Sequence, residues 1–262
     1  RPRAGTQMYE IIARTAWSLR RAERILIITG AGLSADSGLP TYRGLGGLYN
    51  GCTPEGLPIE DVLSGPMLGR DPALCWKYLA ELGRACLKAE PNAGHQAIAE
   101  LQRLKPQCWV LTQNIDGFHR AAGSPPERLI EIHGGIAPLF CQSCGAESDD
   151  LEGHLQRSLP PLCTACGGVL RPPVVLFEEM LPEAAVERLH GEMRKGFDAV
   201  LSVGTTASFP YIVEPVLQTR AAGGFTAEIN PTATELSPYV DVHLRGRALD
   251  ILSQLLSHIA GD

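Results

Sequence analysis

Apolar runs of strand length recur along the chain, separated by stretches with helical spacing. Arg24–Thr29 (RILIIT) is almost wholly apolar after its first residue and stops at Gly30, the pattern of a strand covered on both faces. Cys108–Thr112 (CWVLT), Val174–Phe177 (VVLF), Ala199–Val203 (AVLSV) and Phe225–Ile229 (FTAEI) repeat that pattern. Helix-length segments fall at Tyr9–Leu19, Ala93–Leu104, Glu183–Lys195, Tyr211–Ala222 and Leu249–Ile259. Strands alternating with helices predict an α/β fold, an open, doubly wound parallel sheet.

Two stretches break the alternation. Leu45–Glu90 is rich in Gly and Pro before a helical stretch at Ala73–Lys88, and Phe140–Pro173 is dense in turn residues and holds four cysteines. The expected division is a large domain from 1–44, 91–139 and 174–262, with a small discontinuous lobe from a helical insertion at 45–90 and a ribbon at 140–173. A cleft between two such lobes is a preferred place for a ligand.

Composition narrows the classes. The chain has 262 residues, 44% hydrophobic and 20% charged, ordinary for a globular protein. A net charge of −6 argues against a general grip on nucleic acid and mildly favours cationic, lysine-rich substrates. No apolar run is long enough to span a membrane. The basic amino end lacks the apolar core of a secretory signal, and Glu10 favours a plain helix over a presequence. The expected compartment is therefore the cytoplasm, or the mitochondrion if the chain is eukaryotic and a presequence was trimmed.

The eight cysteines form two populations. Cys52, Cys75, Cys86 and Cys108 sit among apolar neighbours and are expected as small core residues. Cys141, Cys144, Cys163 and Cys166 make two Cys-x-x-Cys pairs separated by eighteen residues, the spacing of a four-thiolate zinc site. Two disulfides would require an oxidising compartment that nothing here supports.

Three polar motifs follow the strands. Gly30-Ala31-Gly32-Leu33-Ser34-Ala35 matches the glycine-rich strand-to-helix turn that cradles a pyrophosphate, and the segment runs on through Asp36, Pro40, Thr41 and Tyr42 to Arg43, a candidate phosphate ligand. A nicotinamide dehydrogenase usually places a carboxylate roughly 20 residues further on; this chain has Leu48-Tyr49-Asn50-Gly51, so hydride transfer loses ground. Thr112-Gln113-Asn114-Ile115-Asp116 puts polar side chains at a strand's carboxyl end, where capping explains one of them but not three. His133, followed by two glycines, and His95 both remain open as the base.

GAGLSADSGLP with TYR, TQNID, the His-Gly element at Ile132–Gly134 and the paired Cys-x-x-Cys occur in the order and spacing of the sirtuin family. Glu90–His95, Leu170-Arg171-Pro172, Gly204-Thr205-Thr206 and Asn230 also resemble sirtuin elements, so the likeness spans about Arg24 to Ala248. It implies a Rossmann-like domain with a zinc-ribbon lobe and an NAD-dependent protein lysine deacylase. Gly30, Ala31, Gly32, Ala35, Asp36, Pro40, Thr41, Tyr42 and Arg43 resemble the loop that holds NAD. Gln113 resembles the ribose contact. Asn114, Ile115 and Asp116 look like the nicotinamide side, Asn114 with a catalytic part. His133 matches the base. Gly204, Thr205, Thr206, Asn230 and Ala248 look like adenosine-side contacts, and Val174, Phe177 and Glu178 like the peptide groove.

The implied chemistry is attack of an acyl-lysine oxygen on the anomeric carbon as nicotinamide leaves, then proton acceptance by His133 from a ribose hydroxyl that attacks the acyl carbon. The products are nicotinamide, free lysine and acyl-ADP-ribose. One zinc ion would be structural, since four thiolates leave no open position. The resemblance also marks departures. The Tyr-x-x-Arg pair of desuccinylating members is replaced by Leu79 and Leu82, and Leu45 replaces a small Ala, so acidic acyl groups are expected to be poor substrates. Should the two leucines face a helix core instead, they would say little about the pocket. The family's Phe-Gly-Glu is Phe177-Glu178-Glu179 here, and Gly204–Pro210 is one residue short before its proline. These changes keep two alternatives in view: an ADP-ribosyltransferase or NAD hydrolase on the same fold, and a non-catalytic zinc module that senses NAD.

Overall fold

The computed structural model describes residues 4–40 and 52–261. Its centre is a six-stranded sheet in the order β3-β2-β1-β7-β8-β9, with every pairing parallel. The strands are β1 (Arg24–Thr29), β2 (Gln107–Thr112), β3 (Leu129–Glu131), β7 (Ala199–Val203), β8 (Phe225–Ile229) and β9 (Val242–Leu244). A second sheet, in the order β5-β4-β6, is antiparallel and built from β4 (Leu139–Cys141), β5 (Glu147–Ser148) and β6 (Leu170–Arg171).

Alternation along the central strands divides the large sheet's covering into two layers. Ile25 and Ile27 of β1 pack with α1 (Ala4–Arg21), α6 (Ala93–Leu104) and α11 (Ala248–Ala260), through Ile12, Ile98 and Ile251 among others. Leu26 and Ile28 face the opposite side, where α9 (Glu183–Lys195) and α10 (Pro210–Ala221) contribute Leu189, Met193, Ile212 and Val216. Because both faces are covered, these strands are continuously apolar rather than alternating.

A third core draws on two distant stretches. Helices α3 (Ile59–Val62), α4 (Gly65–Arg70) and α5 (Pro72–Lys88) share it with the ribbon and α8 (Leu151–Leu155). Trp76 of α5 is fully buried there, and its indole N–H donates to the Leu170 carbonyl at 2.9 Å. The helical insertion and the ribbon thus complete one another's hydrophobic core.

Three sequence expectations are corrected. Val174–Phe177 is not a strand of the large sheet. Val174 and Leu176 are buried in the third core, while the backbone bonds to loops: Val175 N–H to the His133 carbonyl and Phe177 N–H to the Leu63 carbonyl. The outer strands are instead β3 and β9, three residues each and too short for periodicity to reveal. Cys75 and Cys108 are buried as expected and Cys86 is partly so, but Cys52 is exposed. It lies in a bridge to Pro58 that closes a turn, outside the core. Leu79 and Leu82 lie within the third core, so they say little about an acyl pocket, and the argument from them against acidic acyl groups loses its support. Leu45 lies outside the described residues.

Candidate active site and metal centre

The carboxyl ends of β1, β2, β7 and β8 lie side by side, and the chain order reverses between β2 and β7 on either side of β1. Open α/β sheets bind ligands at such a switch point. The polar residues that leave these strand ends form a connected row. Gln113 Nε2 donates to Thr205 Oγ1 at 2.9 Å, and Asn230 Nδ2 donates to the Thr205 carbonyl at 3.2 Å. Asn114 Nδ2 donates to the Gly30 carbonyl at 2.9 Å, holding the turn into α2 (Ala31–Ala35) against the end of β2.

Glycines allow that turn for a reason internal to the protein. Gly32 N–H donates to the Gly204 carbonyl at 2.8 Å, and a Cβ on Gly32 would meet Gly204 Cα at 2.7 Å. Gly204 has φ 61°, and its own Cβ would stand 2.5 Å from Leu33 N. The Gly32 N–H is therefore spent on the protein rather than offered to a phosphate. Gly204→Ala should cost about 2 kcal/mol or more, from the left-handed backbone together with the overlap. A thermal melt of the variant will show a fall of several degrees.

Behind the row lies a buried relay of polar groups. Asn92 caps α6 and its N–H donates to His95 Nδ1 at 3.1 Å, so the His95 hydrogen sits on Nε2, facing Ser34 Oγ at 3.4 Å. Ser34 Oγ in turn donates to Asp116 Oδ2 at 2.6 Å, while Asp116 Oδ1 accepts the Phe118 N–H ahead of α7 (Phe118–Ala121). Burial raises the Asp116 carboxyl above its ordinary value, against the pull of the Ser34 hydroxyl and the Phe118 N–H. Burial pushes His95 down to about 4 against the nearby Asp36, and pushes His119 down to about 3. Both imidazoles stay neutral, and His95 is fully buried in its capping role, which removes it as a candidate base.

His133 differs. It lies two residues beyond β3 and is only partly buried, with Nδ1 3.2 Å from the Gln113 carbonyl and Nε2 2.5 Å from Tyr211 Oη. Burial lowers its pKa below the ordinary 6.5, with the Gln113 carbonyl opposing. The glycine that follows His133 answers a packing need. Gly134 has φ 72°, and a Cβ there would run into the Pro173 carbonyl, so this turn packs against the 173–175 segment.

Other expected positions are dispersed. Ala31 is partly buried at the start of α2, and Ala35 is exposed. Asp36 is committed to the start of α11, accepting from Leu249 N–H at 3.3 Å and pairing with Arg247, and Ala248 is buried in the same turn. Ile115 is partly buried and its carbonyl accepts the Ile136 N–H. Thr206 is exposed and bonded to Ser208. Pro40 is partly buried, while Thr41, Tyr42 and Arg43, with the Leu48–Gly51 stretch, lie outside the described residues. Val174 is buried; Phe177 and Glu178 are exposed. Glu178 has φ 66°, which explains why glycine suits this place in the family pattern. Glu179 pairs with the buried Arg171 through two bonds of 2.7 and 2.8 Å. Tyr211, Ser34 and the Arg171–Glu179 pair escaped sequence reasoning, although Tyr211 follows directly on the shortened segment.

The four expected metal ligands converge, all four sulfurs lying within 4.8 Å of one another. Tetrahedral zinc with bonds of about 2.3 Å needs such a cluster. Backbone N–H groups point at the sulfurs, Ala165 to Cys163 and Gly168 to Cys166, each at 3.4 Å. The Cys144 and Ser143 N–H groups help bring the Cys141 thiol down to about 6, while, against the Gly168 N–H, Cys141 and Cys144 push the Cys166 thiol up to about 12, so the crowded sulfurs share protons that a metal would displace. The donor set fits one structural zinc ion.

Similarity to known proteins covers most of the chain. A model of the Sir2 family matches residues 30–210. The chain is 78% identical over 248 residues to NAD-dependent protein deacylase 2 of Pseudomonas aeruginosa, spanning 95% of this chain and 97% of that one. A crystal structure of a Sir2 homologue–NAD complex superposes with TM-score 0.82 at 35% identity, covering 95% of this chain and 93% of the other. A complex described as Sir2 with a p53 peptide and NAD+ superposes with TM-score 0.81 at 25% identity, over 95% and 98% of the two chains.

Proposed function

Because this chain belongs to the Sir2 family, we propose that it is an NAD-dependent protein lysine deacylase whose base is His133. The observation that carries the base assignment is the imidazole itself: partly buried, with Nδ1 on the Gln113 carbonyl and Nε2 on the Tyr211 hydroxyl. A carbonyl only accepts, so Nδ1 holds the hydrogen and Nε2 is the basic atom. Depression of its pKa keeps that atom unprotonated at neutral pH.

Bound NAD supplies the anomeric carbon and the ribose hydroxyl, with nicotinamide as the leaving group. The chain's own part is orientation. Gln113 and Asn230, both half-buried, flank the buried Thr205 in one polar row, and Asn114 ties the first turn to the second strand end. Among the other cofactor positions, the reading keeps Gly30, Ala31, Gly204 and Thr206, with Thr41, Tyr42 and Arg43 on the sequence pattern alone. The acylated lysine enters beside Phe177 and Glu178, the exposed members of the expected groove. The same reading divides the chain at 45–90 and 140–173 into large and small lobes. No helix among the described residues is long and apolar enough to cross a membrane.

A neutral acyl group is favoured on different grounds from those in the sequence. The rings beside His133 are Phe209 and Tyr211, both uncharged, and nearby Arg171 is committed to Glu179. The test is nicotinamide release with acetyl-lysine and succinyl-lysine versions of one peptide, with mass analysis of products. Acyl-ADP-ribose formed faster from the acetyl peptide is the expected result. Preference for the succinyl peptide would remove the acyl assignment, and ADP-ribose attached to protein would replace deacylation by transfer.

A further inference from the structure

Tyr211 stands in the first turn of α10, and its Oη lies 2.5 Å from His133 Nε2. With the His133 hydrogen on Nδ1, the phenol is the donor in this pair. It therefore bonds to the atom that a general base must keep available. Burial holds the phenol's pKa up to about 12, so it remains a neutral donor.

This contact is built into the fold. The Phe209 and Tyr211 rings stack with centroids 5.3 Å apart and planes at 12°. Both meet the His133 ring edge-on, at 83° and 86°. The next residue, Ile212, is fully buried against the sheet, and Val216 anchors the following turn. The segment leading into α10 is the shortened one, with Ala207 at φ 54° and its N–H donating to Thr205 Oγ1 at 3.0 Å. That oxygen also accepts from Gln113, so the backbone that sets Tyr211 on the base is tied to the polar row of the site. The Tyr211 hydroxyl makes no other hydrogen bond among the described residues, which leaves its oxygen able to accept one.

We propose that Tyr211 is a second catalytic group, interposed between His133 and the hydroxyl that attacks the acyl carbon. This rests on the deacylase reading above. As the new carbon–oxygen bond forms, the hydroxyl O–H bond breaks and its proton passes to Tyr211 Oη. The phenol's own proton passes to His133 Nε2. The phenol ends neutral and the imidazole protonated; the electron pair of the broken O–H bond becomes the new C–O bond, the carbon–nitrogen π bond at the acyl carbon breaks with its pair passing to the lysine nitrogen, and no further reactant is consumed. The opposite view is that the phenol merely plugs the base and must be displaced. The two views differ in sign: removing a plug gains at most about tenfold, the worth of one neutral hydrogen bond, whereas removing a proton carrier loses about 100-fold or more.

Tyr211→Phe keeps the ring and its stacking and deletes only the hydroxyl. Acyl-ADP-ribose formation should fall about 100-fold or more, while the first-turnover burst of nicotinamide, which precedes the base-dependent step, keeps near its wild-type rate. Unchanged thermal unfolding will show that the variant is folded. A second readout needs no activity: in the ligand-free protein, the 15N resonance of His133 Nε2 should shift in the variant with Nδ1 still protonated. Acyl transfer at or above the wild-type rate, or an unmoved Nε2 resonance, overturns the role of Tyr211 alone. A wild-type protein that forms no acyl-ADP-ribose overturns the deacylase reading and this role with it.

Discussion

Extracting zinc with a strong chelator, or replacing Cys166 by serine, will unfold the ribbon while the parallel sheet survives. Strands β4, β5 and β6 have three, two and two residues, so their ladders alone hold little. Structural zinc supplies about 10–16 kcal/mol of binding free energy, comparable with the whole stability of an ordinary domain at about 5–15 kcal/mol. The loss spreads because the ribbon's Leu139, Cys141, Cys163 and Leu170 share a core with Trp76 and Leu79 of α5. Hydrogen exchange followed by mass spectrometry should show loss of protection across 139–171 and in α5, with β1 and β7 still protected. Metal analysis should give one zinc per chain before extraction. Retained protection of the ribbon in a zinc-free protein would contradict this account.

The second large effect is on chemistry. His133→Ala should lower acyl-ADP-ribose formation by about 100- to 10,000-fold, the usual worth of a general base. Deleting the imidazole also removes a partner from Tyr211 and the Gln113 carbonyl, but both residues are only partly buried. The fold should therefore tolerate the change. The pH dependence of the wild type gives an independent check. Activity needs neutral His133, and burial lowers its pKa below 6.5. The rate should hold steady through neutral pH and decline only as acidity passes that lowered value. An acid limb centred above 6.5 would mean that another group titrates. Loss of the first-turnover burst of nicotinamide in His133→Ala would mean that the residue holds the site together rather than moving a proton.

The departures from the family pattern acquire physical meaning at two backbone positions. Glu178 and Ala207 have left-handed φ of 66° and 54°, and they lie in the altered Phe-Gly-Glu loop and the shortened segment respectively. Such residues store strain of about 1 kcal/mol or more, held by surrounding structure. At Glu178 the neighbouring Glu179 supplies the hold, clamped between Arg171 and the Leu176 N–H. At Ala207 it is the Thr205 hydroxyl.

What the sequence by itself determined was what local spacing encodes. The four long strands announced themselves because burial on both faces demands an unbroken apolar run. The zinc quartet was legible because each Cys-x-x-Cys turn presents two sulfurs to a single ion. Tertiary structure alone decided the rest. His95 and His133 look alike in the sequence, and only the capping of α6 and the ending of β3 beside β2 set them apart. Leu79 and Leu82 belong to a core that the ribbon completes from far along the chain. Tyr211 meets its imidazole across 78 residues, through the packing of α10 on the sheet. Periodicity reports which face of an element is buried, whereas a side chain's chemical partner depends on how distant elements dock.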